Sequence, residues 1–264
     1  MQTVLTIAGS DSSGGAGIQA DIKTMTAYGV YGMSVITSIT AQNTCGVTEV
    51  HTLSGNIVSA QMNAVLSDIK PDVIKIGMLG NGESACAVAD SLSSFPGIPI
   101  VIDPVVLSTS GHTLLDTHGQ QVLIDILFPM AALITPNIPE SEWISGEKIS
   151  SASDMEHVAQ NLYERFGCAV LIKGGHLPET ADDFLYDGTA VWFSGTRIHC
   201  ENTHGTGCTL SSAIASALAL GYSLPEAVSS AKKFVREAMS TGLDLGQGNG
   251  PLNHCWNTPT DRKL

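Results

Sequence analysis

The chain reads as an α/β protein with a mostly parallel central sheet, helices on both faces and a small antiparallel edge. Three observations carry this reading. Short, near-continuous apolar runs of strand length alternate with longer segments of helical periodicity, as in parallel sheets covered on both faces. Beyond Lys173 the pattern changes to short β-rich runs separated by Asp187-Gly188 and Gly195, the punctuation of hairpins. The chain has 264 residues, 43% of them hydrophobic and 14% charged, which is enough to bury a substantial core.

The elements follow in order. Residues 3–8 read as an apolar strand, 18–28 as a helix and 33–41 as a second strand. In 54–67 the residues Ile57, Val58, Met62, Val65 and Leu66 fall on roughly one helical face. A short strand, 72–76, is bounded by Pro71 and Gly77, and a helix covers 84–93. Residues 98–102 form a buried-type strand that ends at Asp103-Pro104, followed by an amphipathic helix over 116–127 and a strand over 131–134. Helices are expected at 140–144 and 153–166, the second opened by Ser153 and Glu156 at capping-box spacing. Residues 169–172 are a strand that runs into Lys173-Gly-Gly. Strands at 183–186, 190–193 and 196–199 make the antiparallel edge, and helices span 206–220 and 224–240. No repeat, low-complexity block or linker divides the chain, so residues 1–264 are expected to form one domain. Its glycine- and proline-containing end, 244–264, is expected as a surface tail.

Twelve basic residues face twenty-five acidic ones, a formal charge of −13. This excludes nucleic acid and an anionic membrane as partners, because both are held by clustered Lys and Arg. An anionic small molecule remains open, since a few N–H groups and one lysine suffice to bind it. The six cysteines contain no C-x-x-C and no zinc-site spacing. The first residues enter a strand rather than a signal sequence, and no run of 18 apolar residues occurs. A reducing, cytoplasmic setting is expected.

Two segments carry chemistry. In His204-Gly-Thr-Gly-Cys-Thr-Leu-Ser-Ser-Ala-Ile-Ala215, glycines and Cys208 stand at the mouth of a small-residue helix. Backbone N–H groups there lack helical partners and favour an anion, and a thiol there is expected to ionise more easily than a free cysteine. The alternative is a glycine turn before a helix with a buried cysteine. Near the start, Ala8-Gly-Ser-Asp-Ser-Ser-Gly-Gly-Ala-Gly-Ile-Gln-Ala-Asp-Ile-Lys23 is a small-sided loop that lets a ligand approach the backbone. Within it, Gly15-Ala-Gly-Ile-Gln-Ala20 fits the dinucleotide pattern, though the expected strand ends well upstream. No P-loop occurs. Gly9, Gln42, Met78, Asp103 and Lys173 all fall at or just after strand ends, where open α/β sheets bind ligands.

These segments occur in register with Thr40-Ala-Gln-Asn-Thr44, Lys75-Ile-Gly-Met-Leu79, Asp103-Pro-Val105, Thr135-Pro-Asn-Ile-Pro-Glu140 and Lys173-Gly-Gly-His176. From Thr3 to about position 242 the chain closely resembles the hydroxymethylpyrimidine/phosphomethylpyrimidine kinases, a branch of the ribokinase-like family. The resemblance implies a ribokinase-like fold, ATP and Mg²⁺ as cofactors, a small pyrimidine substrate and a homodimer. It implies catalysis by Cys208, which replaces the aspartate of the related sugar kinases, with Gly205, Thr206, Gly207 and Lys173 around the phosphates. Asp103 and Glu140 would organise Mg²⁺, directly or through water. Gly9, Asp21, Gln42, Met78 and Val105 would surround the pyrimidine, Gln42 matching its ring nitrogen and amino group. His176 and His204 resemble family positions with either orienting or packing roles, and Cys45 has no assigned role. Three other readings stand beside this one: a pyridoxal kinase of the same cysteine-bearing branch, an NAD-binding oxidoreductase, and a non-catalytic pyrimidine-binding protein.

Overall fold

Val4, Leu5 and Ile7 are all fully buried, so β1 (Thr3–Asp11) has to lie inside a sheet covered on both faces. Parallel partners flank it: β2 (Tyr31–Asn43) on one side and β4 (Val73–Ile76) on the other. The parallel set continues through β5 (Ile100–Ile102), β6 (Leu133–Ile134) and β7 (Ala169–Ile172). Then β8 (Asp183–Tyr186) and β9 (Ala190–Phe193) add the expected antiparallel edge. A second antiparallel strand, β3 (Gly46–Thr52), closes the opposite edge by pairing with β2. Among the described residues the strand order is β3-β2-β1-β4-β5-β6-β7-β8-β9. The computed structural model describes residues 1–106, 113–175, 181–198, 200, 202–241 and 243–257.

Strand alternation sorts side chains into two cores. Leu5, Ile7, Ile74 and Ile76 pack with α2 (Gly55–Leu66), α3 (Gly82–Ser93), α4 (Thr117–Val122) and α7 (Ala152–Phe166). Val4, Val73, Val101 and Leu133 pack on the other face with α1 (Gly17–Ala27), α8 (Thr206–Ala219) and α9 (Leu224–Ser240). Past α4 the chain makes a π-helical turn over Leu123–Leu127 and then the short α5 (Phe128–Met130), which contains Pro129. The helix α6 (Ile138–Ser145) stands beside the mouth of the sheet.

Several expectations need correction. The first strand runs on to Asp11 rather than stopping at Ala8, with a register shift between Ala8 and Ser10. β3 left no signal because only Val47 is buried in it while four consecutive residues face outward. Ile57 is 46% exposed, so the buried stripe of α2 is Val58, Met62 and Leu66. The capping box of α7 is Ser151 with Asp154, two residues before the expected pair. Residues 196–198 form no strand, and His199 lies outside the described residues. The end of the chain is also more than a surface tail. Leu252 and His254 are buried, His254 meets the Thr209 hydroxyl at 2.9 Å, and Trp256 packs on Phe234. Burial holds the His254 ring near pKa 4, so the ring docks uncharged.

Candidate active site

The carboxyl ends of the parallel strands and the mouth of α8 enclose a cavity of about 680 Å³. Gly9, Gln42, Met78, Asp103, Val105, Glu140, Lys173, His204 and residues 205–208 line it, which brings together most of the residues singled out in the sequence. At Gly9 an added Cβ would lie 2.9 Å from the Met78 sulfur, so glycine lets Met78 sit in the wall without shifting. The loop after β1 is organised by Asp11. Its carboxylate accepts from the N–H groups of Ser13 (2.8 Å), Gly15 (3.1 Å) and Ala16 (2.8 Å) and meets His204 Nε2 at 2.8 Å. Burial acts to raise the Asp11 carboxyl, but His204, Ser13 and Ala16 outweigh it and hold it at about 2. The amides of this loop are thus committed to Asp11, not presented to a pyrophosphate. That disposes of the dinucleotide reading of Gly15-Ala-Gly-Ile-Gln-Ala20.

Across the cavity, Gly205 adopts a left-handed conformation at φ 84° as the N-cap of α8, where a Cβ would collide with the Gly15 carbonyl. No side chain among the described residues caps this helix, which leaves its mouth open to an anion. A Cβ on Gly207 would lie 3.2 Å from Asp103 Oδ2, so that glycine lets the helix mouth approach the acidic centre. The Cys208 thiol departs from expectation. Burial pushes it up to about 11; the Lys75 ammonium and the Gly17 N–H pull it down, while Asp21 and Asp103 push it further up. The helix terminus therefore does not make it a ready thiolate.

Lys173 holds the acidic pair. Its Nζ lies 2.7 Å from Asp103 Oδ1 and 3.8 Å from Glu140 Oε2. Burial disfavours the Lys173 charge, yet Asp103 and Glu140 prevail and its pKa is raised. Glu140 is lifted to about 7, first by burial and then by Asp103, against the pull of Lys173 and the Asn137 N–H. Its position is fixed locally: it closes a capping box with Asn137 at the start of α6, the Asn137 N–H donating to Glu140 Oε2 at 2.7 Å. No group of three or more metal-ligating side chains occurs among the described residues. Two crowded carboxylates, one of them resisting ionisation, are still a donor set that a hydrated Mg²⁺ would suit.

Gln42 borders the same cavity. Its Oε1 accepts from the Thr40 hydroxyl at 3.0 Å and its Nε2 lies 3.3 Å from His204 Nε2. His204 thereby links Gln42 to Asp11. Asp21 does not reach the cavity. It is fully buried, in a 2.9 Å ion pair with Lys75, so its expected contact with the pyrimidine is corrected to a place beneath the floor. Cys45 is exposed and donates its N–H to Asn43, away from the lining. His176 lies outside the described residues. Sequence reasoning missed Asp11 and Lys75, although both stand inside quoted motifs. A second cavity, of about 1270 Å³, opens beside the first toward β9 and α9. The two share Asn137, Lys173, Thr203, Thr206 and Gly207.

The family model for phosphomethylpyrimidine kinase matches residues 11–253. A hydroxymethylpyrimidine/phosphomethylpyrimidine kinase of Rhizobium meliloti is 50% identical over 95% of this chain and 96% of that protein. A thiamine biosynthesis bifunctional protein of Geobacter sulfurreducens is 47% identical over 96% of this chain, which spans only 52% of that longer protein. Among solved structures, phosphomethylpyrimidine kinase from Clostridium difficile matches with a TM-score of 0.81 and 46% identity, over 90% of this chain and 99% of that one. The ADP complex of Bacillus subtilis pyridoxal kinase matches with a TM-score of 0.88 and 36% identity, over 97% and 98% of the two chains. With the matched residues running from the Asp11 loop through the helix mouth at Cys208, the chain belongs to the phosphomethylpyrimidine kinase family and has its ribokinase-like fold.

Proposed function

We propose that this chain transfers the γ-phosphoryl group of ATP to the hydroxymethyl group of 4-amino-5-hydroxymethyl-2-methylpyrimidine, and then to the resulting monophosphate, in thiamine biosynthesis. One observation carries this reading: the two cavities meet at Lys173 and at Thr206 and Gly207 in the open mouth of α8, with the next residue, Cys208, lining the smaller cavity. The smaller cavity takes the pyrimidine and the larger one the nucleotide. ADP in the Bacillus subtilis pyridoxal kinase structure supports the nucleotide half.

The residues then have distinct tasks. Gln42 offers an amide to the aminopyrimidine edge, while Gly9, Met78 and Val105 pack its ring. Lys173 and the N–H groups at Gly205 and Gly207 hold the transferring phosphoryl charge, an interaction that strengthens in a site closed to water, while the Thr206 N–H is held by the Thr203 carbonyl at 3.3 Å. Mg²⁺, when bound through Asp103 and Glu140, would supply charge neutralisation for the phosphates. Phosphoryl transfer asks mainly for positioning and electrostatics. Cys208, though mostly protonated at neutral pH, therefore aligns the hydroxymethyl group, and its thiolate fraction accepts the proton. The same reading includes a homodimer in a cytoplasmic setting. No helix among the described residues is long and apolar enough to cross a membrane.

Pyridoxal kinase is the second reading, favoured by the close backbone match to pyridoxal kinases at 36% identity or less. An ATPase-coupled assay against the pyrimidine, its monophosphate and pyridoxal separates the two. Turnover of both pyrimidines well above pyridoxal is expected. Pyridoxal turnover alone would overturn the proposal.

A further inference from the structure

A buried polar cluster beneath Cys208 takes no part in the steps above. In β4, Ile74 and Ile76 face the α2–α7 core, while Val73 packs on the opposite side, and alternation sends Lys75 to that side with it. Lys75 is fully buried, and its Nζ lies 2.9 and 3.1 Å from the two oxygens of the equally buried Asp21. Asp21 also accepts from the hydroxyls of Thr6 at 2.6 Å and Ser212 at 2.5 Å.

Helix register ties this cluster to the thiol. Ser212 stands one turn after Cys208 on α8, and Asp21 one turn after Gly17 on α1. Residues four apart share a helix face. The faces that join Asp21 to Ser212 therefore also bring Gly17 beside Cys208, in keeping with the close approach of Gly205 to Gly15 and Ala16 where the two helices start. A Cβ on Gly77 would lie 2.8 Å from Lys75 Nζ, which places the ammonium at the carboxyl end of β4, just under the site. A buried ion pair is weak evidence of stabilisation, because desolvating both partners offsets their attraction. Its place directly under the site points to another role. The charged groups facing Cys208 are Lys75 from β4, Asp21 from α1, Asp103 after β5 and Lys173 after β7.

We propose that Lys75 is a positioning residue that governs the charge on Cys208, its ammonium favouring the thiolate and Asp21 moderating that effect. The inference rests on Cys208 being the proton acceptor, and its test reads the thiol itself. In the full chain, the rate of Cys208 alkylation by iodoacetamide is followed by mass spectrometry between pH 7 and 9. Below the thiol pKa the rate tracks the thiolate fraction, so a shift of one unit is about tenfold. Lys75→Met should slow alkylation about tenfold and Asp21→Asn should speed it about tenfold, with the double variant between them. A purely structural pair would move both rates the same way or neither, and either result overturns the proposal. Should Lys75→Met fail to fold, Asp21→Asn alone decides, and an unchanged or slower rate overturns it. If alkylation shifts as stated while the pH profile of kcat stays fixed, the governing role of Lys75 stands and the proton-acceptor reading of Cys208 falls.

Discussion

Burial makes Cys208 a reluctant acid, its thiol held at about 11 although the neighbouring Lys75 charge favours ionisation. Turnover should therefore rise with pH from 7 to 9. Cys208→Ser should lose most phosphoryl transfer, on the order of a hundredfold, and lose that slope while still binding ATP. A serine variant with near-normal kcat would reduce Cys208 to packing. Glu140 shows the opposite tension, a carboxyl held at about 7 in the folded chain against an ordinary value of 4.5. Between those values the unfolded chain carries fewer protons than the folded one, so stability falls as pH rises through this window. Glu140→Gln keeps the capping box. In the absence of nucleotide and Mg²⁺ it should gain about 1–3 kcal/mol at pH 8 and little at pH 4, while turnover drops. Urea unfolding at the two pH values measures the first part, and equal effects at both would show that Glu140 ionisation does not limit stability. The gathering of Gln42, Met78, Asp103 and Lys173 around one cavity was legible because their motifs end strands. Asp21 misled because a carboxylate near a glycine loop reads the same whether it faces a ligand or a buried lysine.

Single residues act through the elements that aim them. The mouth of α8 points into the site because Gly205 turns left-handed there and because Gly15 and Gly207 leave room for the close approach. α7 illustrates how finely a boundary depends on caps. Ser151, not Ser153, accepts from the N3 amide, and Asp154 returns the bond. Ser151→Ala should cost about 1 kcal/mol, while Ser153→Ala should change stability by no more than a few tenths. Denaturant midpoints of the two variants test this, and the reverse order would restore the register expected from the sequence. β3 and the segment ending in His254 were the illegible elements. β3 shows water a run of outward side chains, and the C-terminal segment is anchored by scattered contacts such as His254 on Thr209. Neither produces a period that sequence can display.

At the scale of the molecule, Lys173 links the two cavities, since it lines both and pairs with Asp103 in the wall of the smaller one. Lys173→Met should lower kcat by at least tenfold and weaken ATP, with little change in pyrimidine affinity. Loss of pyrimidine binding with ATP binding intact would place Lys173 in the wrong subsite. The sequence by itself determined the parallel α/β architecture, because alternating apolar runs and amphipathic helices have few other ways to bury their faces. It also determined which strand ends carry the site, because motif order and strand order coincide along the chain. Only the tertiary structure decided which charges meet. Asp11 with His204, Asp21 with Lys75 and Lys173 with Asp103 are between 54 and 193 residues apart. Ionisation depends on burial and through-space neighbours, so the elevated thiol of Cys208 follows from the packing of α1, α8 and β4 rather than from the helix terminus on which it stands.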